Sequence, residues 1–220
     1  MIIRRAAMQH FLRADLYAIT DAPHSLGRST VEVVKAMLAT GIRIIQYREK
    51  DKDQRTKLEE CRILRAMTRL AGALFIVNDH PDLALLTEAD GVHLGQNDYP
   101  PGDIRKLVGP DMLIGVSTHA PDEALRAQKD TAVDYIGVGP LFSTRTKRDV
   151  CNAVGLEYLD YVVENIDLPF VAIGGIKTHN IRQVAERGAR IIAAVTEITG
   201  ASDIAEMIGK LRAQMRERTN

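Results

Sequence analysis

Eight short apolar runs rich in Val, Ile and Leu recur along the chain about every 25 residues: Leu16 to Thr20, Ile42 to Tyr47, Leu74 to Val77, Gly91 to Leu94, Leu113 to Ser117, Tyr135 to Val138, Phe170 to Ile173 and Ile191 to Val195. Most are continuous rather than alternating, as in Leu74-Phe75-Ile76-Val77, which is how parallel strands covered on both faces read. The interval suits a strand, a helix and two loops. Thr30 to Leu38 sets Val31, Val34, Lys35 and Leu38 near one helical face, and Leu58, Cys61, Arg62 and Arg65 repeat that period. Gly41, Gly72 and Gly188 fall where such helices should stop. Eight parallel units either close as a barrel or stay open as a doubly wound sheet. The open form calls for a glycine-rich G-x-G-x-x-G turn after the first strand, where this chain has Thr20-Asp21-Ala22-Pro23-His24. The expected fold is therefore α/β, a (β/α)₈ TIM barrel. It forms a single compact domain over residues 1–220, with 1–13 an N-terminal extension or helix and 213–220 a frayed C-terminus.

Composition narrows the chemistry. The 29 basic and 29 acidic side chains cancel, so nothing draws the whole molecule to nucleic acid or an anionic membrane, and anion recognition has to come from locally arranged cations. No apolar run approaches the roughly 18 residues of a membrane span, and residues 1–12 are too broken for a secretory core, which points to the cytoplasm. Two cysteines, Cys61 and Cys151, make neither a disulfide framework nor a four-ligand zinc site. The six histidines lack metal-ligand spacing, His93 reads as a barrel-layer residue, and no nucleophile elbow or phosphate-binding loop motif occurs.

In a barrel the active site is built from the strand C-termini and the loops after them. Those positions are polar here: Gln46-Tyr47-Arg48-Glu49-Lys50 after the second run, Asn78-Asp79-His80 after the third, Gln96-Asn97-Asp98 after the fourth, Ser117-Thr118-His119 after the fifth, Ser143 to Lys147 after the sixth, Gly174-Gly175 after the seventh and Thr196 after the eighth. Arg48, Lys50 and Lys147 make a cationic funnel suited to a diphosphate; individually each also reads as a solvated loop cation. Asp79 and Asp98 follow neighbouring strands and can share a Mg²⁺, or they can cap the helix at Pro81 and the turn at Tyr99. Thr144, Thr146, Gly174-Gly175 and Thr196 suit a phosphate monoester, or a tight turn.

Taken in order, Tyr17-Ala18-Ile19-Thr20-Asp21, Gln46 to Lys50, Val77-Asn78-Asp79, Asp90 to Gln96, Gly115-Val116-Ser117, Gly137 to Lys147 and Ile173-Gly174-Gly175-Ile176 resemble the thiamine phosphate synthase family over nearly the entire chain. The resemblance implies Mg²⁺-dependent transfer of an aminopyrimidine methyl group from its diphosphate to the nitrogen of a thiazole phosphate, or its carboxylated form, through a pyrimidine-methyl cation. Carried over, Gln46, Arg48, Lys50, Asn78, Ser117 and Lys147 hold the pyrimidine diphosphate, with Tyr47 and Glu49 counted in the same segment. Arg48, Lys50, Ser117 and Lys147 carry the catalysis. Asp79 and Asp98 bind Mg²⁺, while Thr144, Thr146, Gly175, Val195 and Thr196 hold the thiazole phosphate. The partners implied are small phosphorylated molecules, with homo-oligomer formation left open.

Three positions depart from the family pattern: Thr196 stands where Ser is usual, Ser143 replaces a common Pro, and Glu197 follows the phosphate end and is expected to face away. Residues 143–150 read as a lid. Among rivals, the thiazole tautomerase branch would carry a catalytic His in the turn where this chain has Gly139-Pro140, and would lack the metal and diphosphate residues. A Schiff-base aldolase needs a strand lysine, which is missing here. A non-catalytic binding barrel would release no pyrophosphate.

Overall fold

A computed structural model describes residues 2–144 and 152–216 of the chain. Its centre is one eight-stranded parallel sheet: β1 (Ala18–Ile19), β2 (Ile44–Tyr47), β3 (Leu74–Asn78), β4 (Gly91–Leu94), β5 (Leu113–Thr118), β6 (Tyr135–Val138), β7 (Phe170–Ile173) and β8 (Ile192–Ala193), paired in that order. A parallel bridge from Leu16 to Ile192 joins the ends, so the sheet closes as the expected barrel. Because side chains alternate along a strand, closure sorts them into two cores. Ile44, Leu74, Ile76, Leu113, Tyr135, Val171 and Ala193 fill the barrel, while Ile45, Phe75, Val77, Ile114, Ile136, Ala172 and Ile192 face the helices.

The helices are α1 (Ile2–Phe11), α2 (Thr30–Ala39), α3 (Gln54–Ala71), α4 (Pro81–Leu86), α5 (Pro101–Val108), α6 (Pro121–Lys129), α7 (Gly155–Asn165), α8 (Ile181–Glu186), α9 (Val195–Thr199) and α10 (Ile204–Arg216). Their starts are written locally. Ser29 and Glu32 form a reciprocal capping box on α2, Asp53 caps α3, and Pro81, Pro101 and Pro121 open α4, α5 and α6, where a missing N–H costs nothing. Gly72 ends α3 at φ 63°, a left-handed conformation that suits glycine.

Two expectations shift. On α2 the buried stripe is Thr30, Val33, Val34 and Met37, and on α3 it is Lys57, Cys61, Leu64 and Thr68. Both follow the expected period but centre on Val33 and Met37 and on Leu64, leaving Lys35 and Arg62 exposed and Arg65 half-buried at the margin. The eighth strand ends at Ala193, and Val195 instead opens the five-residue α9. Residues 1–13 were expected as an extension or helix, and Ile2–Phe11 is helical: α1 lies across the N-terminal end of the barrel, where fully buried Phe11 closes the floor. No described helix is long and apolar enough to cross a membrane.

Candidate active site

A cavity of about 440 Å³ opens at the C-terminal ends of the strands. On β2, alternation aims Gln46 inward, and past the strand Arg48 and Lys50 also line the cavity. The same alternation sends Tyr47 and Glu49 the other way, which corrects their placement with the substrate-facing residues. Tyr47 donates its hydroxyl proton to Glu60 (2.7 Å), and buried Glu49 accepts from the Ala22 amide (3.1 Å) and the Thr30 hydroxyl (3.2 Å). Burial pushes the Glu49 carboxyl above its ordinary value, against those hydrogen bonds and Lys52. Both residues thus brace the segment from behind, and the Thr20 hydroxyl holds the Arg48 amide at 2.9 Å.

Arg48 is only partly exposed, and its Nε is buried with no hydrogen-bond partner among the described residues. Lys50 Nζ stands 4.0 Å from Asp79 Oδ2, so cation and carboxylate share one side of the cavity. Asp79 does not cap α4: His80 occupies that position, and Asp79 adopts φ 61°, its amide donating to the His93 carbonyl at 2.9 Å. Asp98 also lines the cavity, with Oδ2 accepting from the Gly95 amide at 2.6 Å, so one oxygen closes its own loop. Among the described residues no group of three or more His, Cys, Asp or Glu side chains is placed to hold a metal. Two carboxylates facing one cavity fit a cation that takes its other ligands from water and a phosphorylated substrate, which is the habit of Mg²⁺.

Opposite these groups, Thr144, Gly175, Val195 and Thr196 line the cavity. The turns after β6 and β7 form one unit: the Leu141 and Phe142 amides donate to the Ile173 and Gly174 carbonyls at 2.9 and 3.0 Å. Gly175, at φ 64°, has no room for a Cβ, which would lie 2.7 Å from the Ser143 carbonyl oxygen and 2.8 Å from Phe142 Cβ. Glu197 is turned away as expected, held by Lys177 Nζ (3.0 Å) and the Thr178 amide (3.1 Å). Burial works to raise its carboxyl, but those bonds prevail and hold it below the usual range. Thr146, Lys147, Cys151 and most of the expected lid lie outside the described residues. Asn78 and Ser117 face the cavity as expected.

Sequence reasoning missed part of the lining: Tyr17, Tyr135 and His119, with His93 assigned only to a barrel layer. The signal was available, since Tyr17, His93 and Tyr135 share the inward parity of Gln46 and Ser117 along their strands.

A family model for thiamine monophosphate synthase matches residues 16–198. The chain belongs to the thiamine monophosphate synthase family. It is 59% identical to the thiamine-phosphate synthase of Pelotomaculum thermopropionicum, over 96% of this chain and 97% of that protein. It is 54% identical to the thiamine-phosphate synthase of Lawsonia intracellularis, over 91% and 92%. Among solved structures, the thiamine phosphate pyrophosphorylase of Pyrococcus furiosus superposes with a TM-score of 0.83 at 37% identity, covering 92% of this chain and 95% of that one. As a thiamine monophosphate synthase family member, the chain is an enzyme, a transferase that makes thiamine phosphate.

Proposed function

We propose that this cavity is where an aminopyrimidinylmethyl diphosphate, held by Gln46, Arg48, Lys50, Asn78, Ser117 and Lys147, meets a thiazole phosphate held by Thr144, Thr146, Gly175, Val195 and Thr196. The observation that carries the reading is one cavity with two unlike sides: Arg48, Lys50, Asp79 and Asp98 on one, and hydroxyl and glycine positions on the other. The first side suits a diphosphate and the second a phosphate monoester.

The thiazole nitrogen that attacks carries no proton, so no general base or covalent nucleophile is required. The residues position the two substrates and stabilise charge on the departing pyrophosphate. Arg48 and Lys50 approach that group with fixed positive charge. Asp79 and Asp98 would hold a Mg²⁺, and the chemistry it would supply is neutralisation of the leaving group's charge. The partners are small phosphorylated molecules in the cytoplasm.

Asp79→Asn and Asp98→Asn test this assignment. Each removes one anionic ligand, so the Mg²⁺ concentration for half-maximal pyrophosphate release rises by on the order of 10-fold or more. An unchanged Mg²⁺ requirement in both variants contradicts it.

A further inference from the structure

A hydrogen-bonded chain crosses the cavity floor and joins two residues given above to the pyrimidine. Gln46 Nε2 donates to the Tyr17 hydroxyl at 2.9 Å, and the Tyr17 and Tyr135 hydroxyls lie 2.9 Å apart. Tyr135 meets His93 Nδ1 at 3.2 Å, and His93 Nε2 meets the Ser117 hydroxyl at 3.0 Å. Tyr17 and Tyr135 are 2% and 0% exposed, so their hydroxyls rely on these protein partners.

Proton counting gives this chain a direction. An amide nitrogen only donates, so the Tyr17 oxygen accepts from Gln46. The proton of Tyr17 then has one remaining acceptor among the described residues, the Tyr135 oxygen. Tyr135, already accepting, sends its own proton to His93 Nδ1. That leaves the histidine proton on Nε2, where Ser117 accepts it. Burial keeps both phenols protonated, which the direction requires. The consequence at the Gln46 end is geometric: Nε2 is held toward Tyr17, and Oε1 is the amide atom left for the cavity.

The floor is built to be rigid. Phe11 of α1 packs on Tyr135 with ring centroids 4.5 Å apart and on Tyr17 at 6.3 Å. Gly115 makes room for the chain, since a Cβ there would fall 2.2 Å from Tyr135 Cζ and 2.6 Å from His93 Nδ1.

We infer that the Tyr17 and Tyr135 hydroxyls are positioning groups that set substrate specificity by fixing which face of the Gln46 amide meets the pyrimidine. An amide with Oε1 fixed toward the ligand and an N–H beside it matches a 4-amino pyrimidine, which offers an N–H donor next to a ring-nitrogen acceptor. A 4-oxo pyrimidine exchanges donor and acceptor and is rejected. The inference rests on the reading that the pyrimidine diphosphate binds beside Gln46.

Tyr135→Phe is the decisive variant, because it keeps the ring and its packing while touching Gln46 only through Tyr17. With no acceptor at position 135, the buried Tyr17 proton turns to the Gln46 amide, which must reverse to accept it. The measurement is the ratio of dissociation constants for 4-amino- and 4-oxo-pyrimidinylmethyl diphosphates, titrated with Mg²⁺ and without thiazole phosphate. The wild type prefers the amino compound by on the order of 10- to 100-fold. Tyr135→Phe lowers that preference by about 10-fold, and Tyr17→Phe, which frees the same amide, lowers it as well. Tyr158→Phe deletes a buried hydroxyl outside the cavity, bonded to Thr118 at 2.7 Å, and leaves the preference intact. An unchanged preference in either Tyr17→Phe or Tyr135→Phe, or an equal fall in Tyr158→Phe, overturns the inference. If the wild type binds neither pyrimidine, the reading of the cavity itself fails and this inference with it.

Discussion

Arg48 concentrates the problem that the site solves. The β2 alternation draws its guanidinium into the barrel mouth, where Nε is buried without a hydrogen-bond partner among the described residues. A buried unpaired donor on a cation is destabilising, and an anionic ligand relieves it. Arg48→Ala therefore lowers kcat/KM for pyrophosphate release by about 10²- to 10³-fold, the size expected for one preorganised contact to developing charge. The melting temperature of the ligand-free protein does not fall. A rate near wild type, or a marked loss of stability, contradicts that role. Asp79 shows a related tension, its φ of 61° being a conformation that costs a non-glycine residue on the order of 1 kcal/mol. At this scale the sequence was legible where residue type and position agree, as for Arg48, Lys50 and Asp79. It is less legible at Tyr47 and Glu49, where the outward parity of β2 turns both side chains behind the segment although they belong to the same polar run.

At the scale of elements, the apolar runs located all eight strands, since continuous Val, Ile and Leu segments are what a two-sided parallel sheet demands. Less was legible where tertiary packing decides. Nothing local marks Val195–Thr199 as helix rather than the end of a strand, and the seating of α1 under the barrel depends on Phe11 meeting Tyr17 and Tyr135 from distant segments. The seam between β1 and β8 is similarly non-local. Arg212 of α10 reaches Asp15 at 2.7 Å and the Thr40 carbonyl at 2.6 Å, while the Asp15 carbonyl accepts from the Ile192 amide at 3.0 Å. Burial works to raise the Asp15 carboxyl, but Arg212 and the Leu16 amide outweigh it and hold it below 3.8. A depressed carboxyl stabilises the fold above its unfolded value and loses that contribution as pH falls through the folded one. Asp15→Asn thus lowers unfolding free energy by about 1 kcal/mol at pH 7, a figure discounted for solvent screening of a partly exposed pair. The gap from wild type closes progressively as pH drops below 3.8. Denaturant midpoints for both proteins across that range check it, and a gap independent of pH would count against the ion pair.

For the whole molecule, the cancelling 29 charges of each sign describe an average that the fold undoes. Closure of the barrel collects Arg48, Lys50, Asp79 and Asp98 at one end, and α1 seals the other with apolar and aromatic side chains. Cations able to engage a diphosphate, carboxylates able to share a metal, and a second set of hydroxyl and glycine positions then face one enclosed volume. The central claim is that this volume joins two phosphorylated substrates, and the direct measurement is product formation. The purified protein is mixed with the aminopyrimidinylmethyl diphosphate, the thiazole phosphate and Mg²⁺, and thiamine phosphate and pyrophosphate are quantified together. The two products are expected in equal amounts, with neither formed at a comparable rate when the thiazole phosphate is omitted. Absence of thiamine phosphate from the complete mixture, or pyrophosphate released at the same rate without the thiazole, would contradict it.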